Sequence, residues 1–329
     1  MTAQIIFSMC NQSRHDARRT HCLAALDVEC GTVNWIRSGT TRRDFGMTGI
    51  AADEHGFYAA VQSHDTSVRI IHFDRYSFRI ISEFPLRFTG DPHSLCIHNG
   101  DLLIASTSNN AIFHLARKNG TITSEELYWR HPGTSDHEND VHLNCLASHG
   151  GELFVTAFGA RDIDGKFGVS DELLNTNTNT RCISGLSQPH TILFHHDRVY
   201  CASSATGEVV IATPGAGQWV ENRILLRGYT RGLAPWGNMI LVGISAHRMR
   251  SRSRGNTVDP TDRHYPQSEI ALLDKNGKEK AVAIPTTAFG NEVYEIINID
   301  IAQTQAFPRP WPGLRLESLR TAIQKRLWR

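Results

Sequence analysis

The sequence predicts an all-β fold, a six-bladed β-propeller closed by pairing of its N- and C-terminal strands, and three observations lead there. A histidine precedes a short apolar run in Asp91-Pro92-His93-Ser94-Leu95, Asp140-Val141-His142-Leu143-Asn144 and Gln188-Pro189-His190-Thr191-Ile192, at intervals of 49 and 48 residues. Repeats of about 40 to 50 residues holding several strands each are what four-stranded propeller blades produce. Asn99-Gly100, Asn119-Gly120 and Asn276-Gly277 lie between apolar runs, the composition of tight hairpin turns. Finally, the chain begins with three strand-like runs and ends with one, so one blade is split between its ends.

Taken in order, residues 3–9 read as a strand. A polar stretch over 11–20 follows, then runs at 22–28 and 33–36 around the turn Glu29-Cys30-Gly31. These are the outer strands of a blade that lacks its inner one. The first whole blade spans Met47 to Phe84, and Val68-Arg69-Ile70-Ile71-His72-Phe73 shows the alternation of half-buried strands. The second runs from His93 to Trp129. The third starts at His142, is interrupted by a polar insertion over 158–170, and ends with 182–186. A regular fourth blade covers His190 to Leu226. The fifth opens at Tyr229-Thr230-Arg231-Gly232-Leu233 and carries a basic insertion over 248–267 before closing at 281–284.

Residues 292–299 supply one more inner strand with nothing after it, which fits the three outer strands at the start of the chain. That gives six blades, with seven the alternative count, and mixing the termini leaves the ring without an open edge. The propeller is expected over 1–302. Residues 303–329 form a proline-rich segment and an amphipathic helix, with Leu316, Leu319, Ile323 and Leu327 on one face. That helix docks on the propeller or on a second copy of the chain, making a homo-oligomer; membrane attachment is the alternative.

Composition excludes several classes. A net charge of +1 gives no field to gather nucleic acid. With 40% hydrophobic and 20% charged residues, the chain has no apolar run that could cross a bilayer. The N-terminus lacks the basic start and apolar core of a secretory signal. Seven cysteines with no CxxC pair fit a reducing compartment, so the expected location is cytoplasmic. Cys96, Cys145 and Cys201 fall within strands and read as small buried hydrophobes.

In an up-and-down blade, the start of the inner strand and the link between the second and third strands share one end of the ring. Both insertions are links of that kind, as are His64-Asp65, Asn109-Asn110 and His247, so they stand over the histidine end, where loops on a rigid scaffold make a pocket for a small-molecule substrate. The inner-strand openings read Thr48, His93, His142, His190, Arg231 and Glu295, with Glu292 or Tyr294 as alternatives for the sixth. Three imidazoles leave coordination positions open, so His93, His142 and His190 are candidate ligands for a divalent transition metal: zinc, iron, manganese, copper or nickel. Glu295 is a fourth ligand or a general base. Arg231 holds an anionic group through parallel hydrogen bonds, and His64 and Tyr294 complete the candidate catalytic set.

A metal, a carboxylate and a guanidinium suit proton abstraction, hydration or elimination. The expected function is a metal-dependent lyase acting on a small polar or anionic substrate. The rivals are a redox enzyme using iron or copper on the same histidines, a non-catalytic propeller that binds a ligand or protein, and a metal-free pocket whose histidines hydrogen-bond a ligand. Structural capping by Pro-His turns is the bland reading. His55, His98, His149, His195 and His196 fall in hairpin turns at the opposite face and read as solvated.

The segments His142-Leu143-Asn144-Cys145-Leu146-Ala147, Leu186-Ser187-Gln188-Pro189-His190, Gly228-Tyr229-Thr230-Arg231-Gly232-Leu233-Ala234 and Val242-Gly243-Ile244-Ser245 resemble an uncharacterised bacterial family with a propeller fold, over roughly residues 45–300. The architecture also resembles the catalytic core of peptidyl-hydroxyglycine amidating lyase, a six-bladed propeller with an axial zinc on three histidines and an arginine and a tyrosine nearby. That resemblance implies His93, His142 and His190 as ligands and Arg231 as the substrate-orienting cation. Oligogalacturonate lyase, seven-bladed with a histidine-bound manganese, is similar more loosely. Glu295 has no assured counterpart in either, and the absence of a secretory signal sets this chain apart from both.

Overall fold

The computed structural model describes residues 4–10, 22–41, 43–136, 138–161, 165, 167, 171–214, 219–246, 267–274, 279–287 and 290–299. The expected C-terminal helix, the turn at Asn276-Gly277, the basic insertion up to residue 266 and most of the 158–170 insertion lie outside the described residues.

Six four-stranded antiparallel sheets account for every described strand. Blade 6 joins the two ends of the chain: β1 (Gln4–Cys10), β2 (Leu23–Asp27) and β3 (Thr32–Trp35) lie outside β24 (Glu292–Ile299), which is its inner strand. Blade 1 holds β4 (Asp44–Asp53), β5 (Gly56–Ser63), β6 (Val68–Phe73) and β7 (Ile80–Leu86). Blade 2 is β8 (Pro92–His98), β9 (Asp101–Ser106), β10 (Ala111–Lys118) and β11 (Thr121–Arg130). Blade 3 consists of β12 (Leu143–His149), β13 (Glu152–Ala157), β14 (Glu172–Asn175) and β15 (Thr180–Ser184). Blade 4 has β16 (Pro189–His195), β17 (Arg198–Ser203), β18 (Glu208–Thr213) and β19 (Val220–Leu225). Blade 5 is β20 (Tyr229–Trp236), β21 (Met239–Ser245), β22 (Glu269–Asp274) and β23 (Glu279–Pro285). The blade count and the shared blade are those the sequence predicts.

The turns follow from their residues. Asn99 and Gly100 have φ of 51° and 88°, and Asn119 and Gly120 have 50° and 76°, the paired left-handed conformation that a two-residue hairpin of native twist requires. The core is not one mass but six apolar layers, each between neighbouring blades. Phe57, Phe73 and Met47 of blade 1 meet Ile6, Leu23 and Ile299 of blade 6, for example. Because the layer between blades 5 and 6 also depends on β1 and β24, the ring buries all its apolar surface only when closed.

Polar clamps add to this. The Glu125 carboxylate accepts the backbone N–H groups of Arg87, Phe88 and Thr89 at 2.7, 3.1 and 2.7 Å, and the Thr89 hydroxyl at 2.5 Å. Glu125→Ala leaves the buried Thr89 N–H and hydroxyl without their acceptor. It should destabilise the protein by about 2–4 kcal/mol, measured by denaturant unfolding, while Glu125→Gln recovers part of the loss. One expectation needs correcting: His98 is not solvated. It is 4% exposed, because the end of β8 leans on blade 3, and its Nδ1 meets the Ser148 hydroxyl at 2.8 Å.

Candidate functional site at the propeller axis

The pairing register decides which side chains share a level at the axis. In β16, Pro189 faces Ser203 and Ile192 faces Cys201, so the inner strand carries one residue more than its partner between these pairs. That bulge recurs in all six blades, between Met47 and Ile50, Pro92 and Leu95, Leu143 and Leu146, Thr230 and Leu233, and Val293 and Ile296. A bulge re-aims side chains, and here it turns one residue per blade inward. The residues just inside it are Thr48, His93, Asn144, His190, Arg231 and Tyr294.

This differs from the expected ring at two of its six positions. His142 stands two residues earlier, with φ of 49°, at the place that Asp91 (48°) and Gln188 (50°) take in blades 2 and 4. Asn144 takes the inward place in blade 3. In blade 6 that place belongs to Tyr294; Glu295 lies one level deeper, with Ser94, Cys145 and Thr191. The sequence held a usable signal. Residues 93 and 106, 190 and 203, and 144 and 157 keep the same interval to the end of the second strand, whereas 142 does not.

Aromatic contacts show how the level is packed. The Tyr294 ring lies 5.8 Å from His93, 6.0 Å from His190 and 4.7 Å from the Arg231 guanidinium carbon. A side chain of blade 6 that touches blades 2, 4 and 5 must cross the axis, so Tyr294 fills it. The Arg231 guanidinium also sits 5.0 Å from the Tyr229 ring. Arg231 is 3% exposed, and its Nη2 lies 3.3 Å from the carboxylate of Glu292. Its Nε and Nη1 have no hydrogen-bond partner among the described residues, nor do Asn144 Nδ2 and Thr48 Oγ1. Buried donors left unmatched are costly, and several of them share this level.

The two inward histidines are held alike. Nδ1 of His93 lies 3.0 Å from the Asp91 carbonyl and 2.8 Å from Thr107 Oγ1; Nδ1 of His190 lies 2.9 Å from the Gln188 carbonyl and 2.7 Å from Ser204 Oγ. A carbonyl only accepts, so each Nδ1 carries a proton, and in a neutral ring Nε2 then has the lone pair. Burial, then the Arg231 charge and His93, hold the His190 pKa well below its usual value, so this ring is neutral at pH 7.

His142 is near them without joining them. Its ring is 5.1 Å from His93 but stacks on Phe158 at 4.3 Å, and Phe158 also lies 5.8 Å from His190. Its Nδ1 accepts the Asn139 side-chain amide at 2.9 Å. Among the described residues, no three His, Cys, Asp or Glu side chains are arranged to hold a metal ion. The expected three-histidine set plus Glu295 is therefore not assembled, because the bulge register puts only two imidazoles on the inward level. His64 stands apart, edge-on to Phe45 at 4.7 Å, with its backbone N–H on the Arg43 carbonyl.

Glu295 accepts the Thr191 hydroxyl at 3.1 Å, and its backbone N–H donates to Ser8 Oγ at 3.1 Å. Burial raises its pKa to about 8, only partly offset by Thr191 and the Ile296 backbone. A carboxyl raised from 4.5 in the folded state gives stability that is full below about pH 4.5 and is lost as pH rises through about 8. Glu295→Gln, which cannot ionise, should flatten that decline in denaturant midpoints taken from pH 4 to 9.

The fold and axial level define a class, six-bladed propellers with a buried, donor-rich site where the inner strands open. Residues 86–306 match the family described as Domain of unknown function (DUF4915), and the chain belongs to it. No curated protein matches the sequence. Among solved structures, a protein of unknown function from Bacteroides caccae is similar at 12% identity and TM-score 0.58, covering 92% of this chain and all (100%) of that one. A provisional 6-phosphogluconolactonase from Bacteroides fragilis aligns at 13% identity and TM-score 0.54, over 91% of this chain and 98% of its own. A chain of a nidogen/laminin complex aligns at 11% identity and TM-score 0.61, over 92% and 100%. These likenesses show the fold alone. Since they include a provisional enzyme and a protein complex, the site must decide the function.

Proposed function

We propose that the protein is an enzyme acting on a small anionic substrate bearing hydroxyl groups, held at the axial level and processed by proton transfer, with elimination as the reaction class. The observation that carries this reading is the set of unmatched donors on Arg231 and Asn144, on either side of neutral His190. A carboxylate suits the two arginine N–H groups, and the Asn144 amide extends the donor surface. The Nε2 lone pair of neutral His190 suits a substrate hydroxyl or serves as a base. A base that removes the proton next to the carboxylate leaves negative charge on it, which Arg231 is there to meet. The C–O bond to the β-hydroxyl then breaks as the C=C bond forms, and the hydroxyl leaves as water with the proton returned from the His190 imidazolium.

The metal-dependent form of the reading draws support from the fixed Nδ1–H of His93 and His190, the arrangement that metal-bound imidazoles require. The described residues do not complete such a centre, so no step is assigned to a metal. One metal per chain in protein purified without a histidine tag, lost on replacing His93 or His190, would restore it.

The test is binding followed by turnover. Gluconate and malate should raise the unfolding temperature in the millimolar range, where a neutral polyol of equal size does not. Once a substrate is found, His190→Gln should lower kcat by about 10²–10⁴, the range for loss of a general base. Absence of any response to small anions, or an unaltered response in Asn144→Leu and Arg231→Met, sinks the reading.

A further inference from the structure

Beyond the Tyr294 plug, the axis opens again toward the other face of the ring as a cavity of about 300 Å³. Its wall contains the residue just past the bulge from every blade: Ile50, Leu95, Leu146, Ile192, Leu233 and Ile296. Ser94, Cys145, Thr191 and Glu295 form its inner end. At the outer end, Ala52, Leu193, Pro235, Ile297 and Asn298 are partly exposed, so the cavity reaches solvent there.

The polar groups of this cavity are unbalanced. The Thr191 hydroxyl donates to Glu295 Oε1, and Ser94 Oγ donates to the Cys145 sulfur at 3.6 Å, which commits both hydroxyl protons. The Asn298 amide nitrogen donates to the Pro235 carbonyl at 2.8 Å, which leaves its Oδ1 buried without a donor. Among the described residues no cation pairs with Glu295, whose carboxyl is 7% exposed at the cavity end. The cavity therefore offers acceptors at both ends, a single acidic group and an aliphatic wall. Burial holds the Cys145 thiol well above its usual pKa, so a covalent role for that sulfur has no support.

We propose that this second mouth is a binding site for a small primary aliphatic amine, with its ammonium on Glu295 and its hydrocarbon chain along the six aliphatic residues. An ammonium is a compact donor that supplies both the missing charge and the missing hydrogen bonds. An anion meets an acidic group in a low-dielectric pocket. A neutral alcohol of equal length satisfies the wall but leaves the carboxyl without a counter-ion.

Calorimetry of the full chain at pH 9, where Glu295 is ionised and an alkylammonium still keeps its proton, with n-hexylamine, n-hexanol and hexanoate tests this. Hexylamine should bind one per chain, at least tenfold more tightly than hexanol, and hexanoate should not bind. Glu295→Gln keeps the side-chain size and the Thr191 hydrogen bond, and should weaken hexylamine at least tenfold. Asn298→Leu, at the partly exposed rim, should weaken it less and gives a second reading should Glu295→Gln fail to fold. Gluconate should leave the hexylamine isotherm unchanged, since Tyr294 separates the two mouths. Equal binding of the alcohol, unchanged affinity in both variants, or displacement by gluconate overturns the proposal.

Discussion

Arg231→Met is expected to abolish anion binding at the axial level and to lower stability by about 3–5 kcal/mol, the range for removing one partner of a buried ion pair. Both effects have the same origin. Arg231 and Glu292 are 3% and 2% exposed, so removing the guanidinium takes away a cation set against the Glu292 carboxylate where both are buried. The two effects separate in Arg231→Met with Glu292→Gln, where stability should largely return while gluconate still fails to bind. Thermal unfolding with and without the anion reads both quantities. If the single variant keeps wild-type stability and still responds to gluconate, Arg231 is not the anion anchor.

Gly49→Ala should be the other severe change, costing about 1–3 kcal/mol or more through overpacking against backbone that cannot yield. A Cβ at Gly49 would come within 2.4 Å of the Leu95 nitrogen and 2.6 Å of the Ser94 backbone. Gly232, at the same level of blade 5, has its nearest atom 2.7 Å away, the Ile296 nitrogen. Two of six inner strands therefore pass their neighbours at a distance only glycine permits. Because β8 carries His93, displacing it from β4 should also weaken gluconate binding. Equilibrium unfolding and the anion titration on Gly49→Ala give both numbers; a fully stable variant with intact binding would show that the ring has slack at this level.

The fold was legible because propeller blades announce themselves locally. Asn99-Gly100 and Asn119-Gly120 encode their turns in two residues, and the alternation in Val68 to Phe73 encodes a face. The orphan inner strand at 292–299 and the three outer strands at 4–35 need only be counted to be paired. The candidate site was legible in part. Thr48, His93, His190 and Arg231 emerge from the repeat, with Tyr294 only an alternative for the sixth place, and the repeat suggested His142 and Glu295 where Asn144 and Tyr294 stand.

Those two places depend on where a bulge falls in each inner strand, and a bulge leaves no motif of its own. One residue of register moves a strand side chain to the opposite face. The inward place is the one just inside the bulge, and His142 lies two residues before it and Glu295 one after it, so each reaches a different level. The chain alone thus determined the number of blades, the shared blade and the end at which the polar residues gather. Only the tertiary structure decided that Asn144 and Tyr294 meet His93, His190 and Arg231, and that Glu295 faces a separate mouth, because hydrogen-bond pairing between strands, not the order of residues along one, sets the height of each side chain on the axis.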